Sequence, residues 1–215
     1  MLIRNQPARG VLLPGVFRPR SDTWLLARTA AREPVPPRGR ILELCAGPAM
    51  AGIVAARTHG AHLTTVDVSR RAVFCARVNA RLNGVTVSAR RGDLFAAVAG
   101  ETFDLIIANP PYVPGAAPPS RGASRAWQAG PDGRVVLDRI IAQAPRHLAP
   151  GGTLLLVHSE FCGTPTTLRG YAAGGLQADV AASEQGPLGP LMRAAVGPDG
   201  QDTEEIVVAR GKAQP

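Results

Sequence analysis

Arg40-Ile41-Leu42-Glu43-Leu44 runs into Cys45-Ala46-Gly47-Pro48-Ala49 and then into the alanine-rich stretch that ends near His59. A short apolar strand, a tight turn of small residues and a helical stretch, in that order, open a βαβ unit. The pattern then repeats. His62 to Val66 predicts a second strand ending on Asp67, and Ser69 is placed to cap a helix whose Val73, Ala76 and Ala80 share one face. Asn83-Gly84 supplies a left-handed stop. Val85 to Ala89 predicts a third strand, and Phe103 to Ala108 a fourth that leads straight into Asn109-Pro110-Pro111-Tyr112. Strands alternating with helices in this way predict a doubly wound α/β sheet.

Outward from this region the signals thin. Val113 to Pro131 is rich in Pro, Gly, Ala and Ser, has no periodicity, and contains Arg121, Arg125 and Trp127. A loop of that length is expected to be functional or disordered, and it reads as a substrate lid. A helix is predicted from Gly133 to Leu148, with Val136, Ile140, Ala144 and Leu148 on one face and Pro145 expected to kink or shorten it. Pro150-Gly151-Gly152 turns the chain into a fifth strand, Thr153 to His158. Weaker patterns predict a helix at Thr164 to Ala173 and strands at Leu176 to Ala182 and Glu204 to Ala209. Between those strands, Gly186 to Gly200 is rich in Gly and Pro.

The chain has 215 residues, enough for one domain with a full core and no disulfide or metal staples. No run of about 18 apolar residues predicts a membrane span, and Pro7, Arg9 and Pro14 interrupt any signal-peptide pattern. A soluble, cytoplasmic protein is expected. The net charge of +8 favours acidic partners such as RNA or a ribosome-bound factor, although the basic residues are dispersed and all but Lys212 are Arg. Cys45, Cys75 and Cys162 are too widely spaced for a zinc knuckle, and His59 and His62 have no ligand-spaced partners, so no metal is expected.

The candidate chemistry collects at strand ends. The small-residue turn Cys45-Ala46-Gly47 lets the backbone approach a nucleotide, and Asp67, 24 residues after Glu43, is placed to bind both ribose hydroxyls. Asp93, in Gly92-Asp93-Leu94, can accept from an adenine amino group while the next backbone N–H donates back. Asn109-Pro110-Pro111-Tyr112 is the most informative motif. The Asn109 carboxamide oxygen and the Pro110 carbonyl can accept both hydrogens of one planar –NH₂ group, and Tyr112 can stack on its conjugated plane. A nitrogen held so is positioned for methylation by a sulfonium, with no metal and no strong base.

With these residues in place the chain resembles the class I S-adenosylmethionine-dependent methyltransferases, and among them the HemK/PrmC-like group that methylates the GGQ glutamine of translation release factors. The resemblance spans nearly the whole chain, including Gly15-Val16-Phe17, Ser21-Asp22-Thr23-Trp24, Val66-Asp67-Val68-Ser69, Gly130-Pro131-Asp132-Gly133 and Ala149-Pro150-Gly151-Gly152. It favours the short archaeal and eukaryotic-type members, without a long N-terminal helical domain. It implies a single-domain, Rossmann-like, seven-stranded sheet, mostly parallel with the last strand antiparallel and helices on both faces. Residues 1–39 would form an N-terminal segment packing over the cofactor site, and 40–215 the methyltransferase domain.

By the same resemblance Asp22 and Thr23 would lie near the methionine end of S-adenosylmethionine, with Glu43, Cys45, Ala46 and Gly47 under it. Asp67 and Val68 would hold the ribose, Asp93 and Leu94 the adenine, and S-adenosylhomocysteine would be the product. Asn109 would border the cofactor as well as the substrate amide, which it would hold with Pro110, Pro111 and Tyr112. Cys45 and Ala49 stand where the family has glycines, and Pro48 removes a backbone donor, so weaker cofactor binding is expected. A release factor is the expected substrate and a small zinc-binding activator subunit an expected partner. An amino-group methyltransferase of RNA or DNA, a small-molecule methyltransferase and a non-catalytic scaffold are the alternative readings.

Overall fold

The computed structural model describes residues 2–3, 8–116, 123–196 and 202–215. A short hairpin, β1 (Leu2–Ile3) and β2 (Gly10–Val11), precedes α1 (Ser21–Ala30). Then come β3 (Arg40–Leu44), α2 (Met50–His59), β4 (His62–Asp67), α3 (Arg70–Leu82) and β5 (Val87–Arg91). After them follow β6 (Phe103–Ala108), α4 (Val135–Gln143), β7 (Leu148–Ser159) and α5 (Thr164–Ala173). The chain closes with β8 (Gln177–Pro187), α6 (Pro190–Val196) and β9 (Thr203–Lys212).

Seven strands make one sheet in the order β5-β4-β3-β6-β7-β9-β8. Neighbours from β5 to β7 are parallel, and β9 runs antiparallel to both β7 and β8. The expected seven-stranded, mostly parallel sheet with its last strand reversed is therefore what the chain forms.

Helices on both faces explain why the central strands read as continuous apolar runs. Successive side chains go to opposite faces. Ile41, Leu105, Ile107, Leu155 and Val157 join the core with residues of α1, α2 and α3. Leu42, Leu44, Ile106, Leu154 and Leu156 join the core on the other face with Leu137, Ile140 and Tyr171 of α4 and α5.

Several boundaries differ from those expected. The helix predicted at 133–148 is α4 followed by a 3-10 turn, Ala144–His147, because Pro145 has no N–H to continue the ladder. The third strand is Val87–Arg91 rather than 85–89, since the Val85 N–H is held by the Ala80 carbonyl at the end of α3. β7 is longer at both ends than 153–158, and β8 and β9 pair well beyond 176–182 and 204–209. Gly186 to Gly200 contains α6, which its composition hid, and 197–201 lies outside the described residues. The segment before residue 40 contains α1, whose Leu25, Leu26, Ala27 and Ala30 are buried with α2.

The 113–131 loop is fastened at its base. Val113 and Gly115 donate to the carbonyls of Trp127 and Gly130, while Ala129 and Gly130 donate back to Val113 and Ala116. Arg121 lies outside the described residues, and so does the side chain of Arg125.

Candidate active site

The carboxyl ends of β3, β4, β5 and β6, with the start of α1 and the far ends of β8 and β9, line a cavity of about 680 Å³. It lies at the switch point of the sheet, where β3 has β4 on one side and β6 on the other. Every residue expected to hold the cofactor or the substrate amide is on its wall. Asp22 and Thr23 come from α1, and Glu43, Cys45, Ala46 and Gly47 from β3 and its loop. Asp67 and Val68 close β4, Asp93 and Leu94 follow β5, and Asn109, Pro110, Pro111 and Tyr112 follow β6.

The loop after β3 keeps a left-handed backbone at three positions, Cys45 (φ 51°), Gly47 (φ 51°) and Ala49 (φ 61°). That conformation costs a residue with a Cβ roughly 1–2 kcal/mol, so Cys45 and Ala49 are held there by their surroundings. Ala46 donates to the Val66 carbonyl at 3.2 Å, Ala49 to the Ala46 carbonyl at 2.7 Å, and Gly47 to Asp67 Oδ2 at 2.8 Å. A Cβ at Gly47 would meet no protein atom within 4 Å, so bare backbone faces the open cavity there, as a nucleotide requires.

The acids on the wall differ in state and setting. Asp67 is fixed by the Gly47 N–H on Oδ2 and by the Ser69 N–H on Oδ1, both at 2.8 Å. Asp93 accepts from the two terminal guanidinium nitrogens of Arg139, at 2.7 and 3.3 Å, on an exposed rim. Glu43 is buried and accepts the Gly52 N–H at 3.0 Å. Burial pushes its carboxyl up to about 8 against the pull of that hydrogen bond, and the Asp67 charge adds to the rise.

Glu43 gives a pH prediction. Its proton is held by the folded chain at pH values where the unfolded chain, with a carboxyl near 4.5, has released it. The stability it contributes is full below about 4.5 and is lost as pH rises through about 8, by up to about 1.4 kcal/mol per pH unit between them. Glu43→Gln removes the titration. The melting temperature of the cofactor-free variant should therefore gain on wild type between pH 5 and pH 8, and parallel profiles would refute the assignment.

Where the start of α1 meets the turn after β6, four side chains interlock. Asn109 Nδ2 donates to Thr23 Oγ1 at 3.3 Å, and Thr23 Oγ1 donates to Asp22 Oδ1 at 3.1 Å. Tyr112 OH donates to Asp22 Oδ2 at 2.9 Å. Burial first, then the Asp22 charge, hold the Tyr112 phenol well above its ordinary pKa, so it stays a donor. Beneath the motif, Cys162 Sγ donates to the Tyr112 carbonyl at 3.2 Å.

Sequence reasoning missed several wall residues. Arg139 is one, a helix-surface arginine with nothing in the sequence to mark it. Trp127 had been noted only as part of the loop and lines the cavity. From the C-terminal third come Gln185, Gly189, Met192 and Glu204. Glu204 is buried, its Oε1 accepts the Gly189 N–H at 3.2 Å, and its Oε2 has no hydrogen-bond partner among the described residues.

The mostly parallel seven-stranded sheet with its reversed β9 matches the Rossmann-like methyltransferases. Residues 12–175 match the methyltransferase small domain family, and the chain belongs to that family. It is an S-adenosylmethionine-dependent methyltransferase. A provisionally named protein N5-glutamine methyltransferase of Methanocaldococcus jannaschii is 31% identical over 89% of this chain and 96% of its own length. The release factor glutamine methyltransferase of Deinococcus radiodurans is 35% identical over 75% of this chain, which spans only 60% of that enzyme. Among solved structures, the E. cuniculi Mtq2-Trm112 complex, responsible for methylation of the eRF1 translation termination factor, aligns with a TM-score of 0.63 at 22% identity. That alignment covers 93% of this chain and 99% of that one.

Proposed function

We propose that this chain transfers the methyl group of S-adenosylmethionine to the side-chain amide nitrogen of a glutamine in a translation release factor. The observation that carries the reading is Asn109-Pro110-Pro111-Tyr112 on the cavity wall with the Asn109 –NH₂ already engaged by Thr23, which leaves the carboxamide oxygen as the acceptor for a substrate. The names of the Methanocaldococcus and Deinococcus relatives support glutamine as the acceptor.

The residues present fit the cofactor. Asp67 with Val68 takes the ribose hydroxyls, Asp93 and Leu94 the adenine, and Glu43, Cys45, Ala46 and Gly47 lie under the methionine end. Asp22, Thr23 and Asn109 border that end, over which the described part of the segment before residue 40 forms a cover. When bound, the cofactor supplies an electrophilic methyl group on a sulfonium. Asn109 Oδ1 and the Pro110 carbonyl accept the two N–H bonds of the glutamine amide, and the Tyr112 ring packs on its plane. Holding both hydrogens turns the nitrogen lone pair towards the methyl group, and the nitrogen loses a proton once it is alkylated. Positioning and fixed dipoles therefore supply most of the rate.

No helix among the described residues is long and apolar enough to cross a membrane. Action on a release factor places the protein in the cytoplasm. Trm112 stands beside Mtq2 in the similar structure, and a small zinc-binding activator subunit is the corresponding partner here. The test is transfer of tritiated methyl into purified release factor and bulk RNA offered together, with and without such a subunit. Label in a glutamine of the factor is expected. Label confined to RNA would transfer the same catalytic residues to a nucleobase amino group and refute the glutamine reading.

A further inference from the structure

Asn109 serves the proposed reaction only if its oxygen, and not its nitrogen, faces the substrate amide. The two ends of a carboxamide are nearly equal in shape, so packing alone does not choose between them. The choice is made by hydrogen-bond inventory, and it can be counted from Asp22 outward.

Asp22 is 5% exposed and stands in the first turn of α1. Three donors converge on its carboxylate: the Thr23 N–H at 2.6 Å and the Thr23 hydroxyl at 3.1 Å on Oδ1, and the Tyr112 hydroxyl at 2.9 Å on Oδ2. The backbone N–H can only donate, so Oδ1 is an acceptor, and the Thr23 hydroxyl gives it its single proton. A threonine hydroxyl then has two lone pairs left. One accepts the Arg20 N–H at 3.4 Å and the other faces Asn109 at 3.3 Å. What meets that second lone pair must be a donor. Turning Asn109 over would press its oxygen against an oxygen with no proton to offer, and Thr23 is only 8% exposed, so little water can intervene.

We propose that Thr23, anchored by Asp22, is a positioning residue that fixes the amide orientation of Asn109 and so keeps its oxygen available to the substrate. This goes beyond a place for Thr23 beside the cofactor, and its kinetic arm rests on the glutamine reading above. Tyr112 is tied to the same carboxylate. One acid on α1 thereby registers both the hydrogen-bonding and the stacking residue of the motif, although it lies some ninety positions away in the chain.

The test uses Thr23→Val, which keeps the shape and removes the hydroxyl, and Thr23→Ser, which keeps the hydroxyl. In the cofactor-free, ¹⁵N-labelled protein, the Asn109 side-chain N–H groups should exchange slowly with water in wild type and Thr23→Ser. Thr23→Val should speed that exchange by about tenfold or more. In methyl transfer, Thr23→Val should lower kcat by about 10–100-fold, equivalent to losing one buried hydrogen bond with its orientation. KM for the protein should hold, the affinity for S-adenosylmethionine should fall by much less than kcat, and Thr23→Ser should recover most of the rate. On an Asn109→Ala background Thr23→Val should add nothing, because it acts through Asn109. Additive losses, a matching loss of cofactor affinity, or unchanged exchange in Thr23→Val would each overturn the proposal. A wild-type protein that labels no glutamine yet shows the exchange effect would reject the glutamine reading and leave the positioning role standing.

Discussion

Asn109→Ala lowers the turnover of methyl transfer by about 10²–10³, the loss expected when a preorganised polar contact to the reacting group is removed. Three features of the site set that size. The motif follows β6, the strand next to β3 in the middle of the sheet, so its backbone is held by ladders on both sides. The phenol of Tyr112, held protonated by burial and by Asp22, offers no substitute base beside the amide. The carboxamide of Asn109 is itself tied down by Thr23, so its truncation removes an oriented dipole rather than a mobile one. Stability should suffer little, since one hydrogen bond of a half-buried side chain is worth about 1 kcal/mol. Cofactor affinity, read by calorimetry with S-adenosylhomocysteine, should stay within about tenfold of wild type. A parallel collapse of affinity and turnover would make Asn109 a cofactor contact and remove it from substrate positioning.

The part of the molecule that was legible in the sequence is the part whose pattern is set by burial on two faces. Ile41-Leu42 and Leu105-Ile106-Ile107 are apolar runs buried on both faces, and their strands lead into Cys45 and Asn109 on the cavity wall. Other elements carry no such pattern. β8 is an edge strand with most of its side chains exposed, so no alternation marks it, and α6 sits inside a Gly- and Pro-rich stretch. Glu204 and Glu205 are equivalent in sequence. Pairing with β8 sends the first into the cavity wall and leaves the second half-buried elsewhere, and pairing register is a non-local property. α1 was hidden because Ser21-Asp22-Thr23-Trp24 reads as a motif rather than as the first turn of a helix. The tie between Thr23 and Asn109 follows from that helix, and no spacing rule predicts it.

Gly133→Ala should be the most damaging small substitution outside the motif itself. Gly133 has φ +72°, and a Cβ there would lie 2.3 Å from the Tyr112 carbonyl oxygen and 2.9 Å from Cys162 Sγ. The carbonyl has little room to retreat, since Cys162 Sγ already donates to it, and Cys162 is buried beside the guanidinium of Arg134. Overpacking together with left-handed strain should cost about 2–4 kcal/mol, or about 5–15 °C in melting temperature for a chain of this size. The strain can be separated from the clash. Gly100 has φ +75° with no atom within 4 Å of its would-be Cβ, so Gly100→Ala meets the backbone cost alone, about 1 kcal/mol. The excess of Gly133→Ala over Gly100→Ala measures how firmly the Tyr112 backbone is wedged. That excess should appear in kcat/KM as well, because a shift of the carbonyl moves the ring that packs on the substrate, and about 10² is the loss expected from a displacement of about 1 Å. Equal melting temperatures and equal kcat/KM for the two variants would mean that the turn from Gly130 to Gly133 merely passes the site and does not hold it.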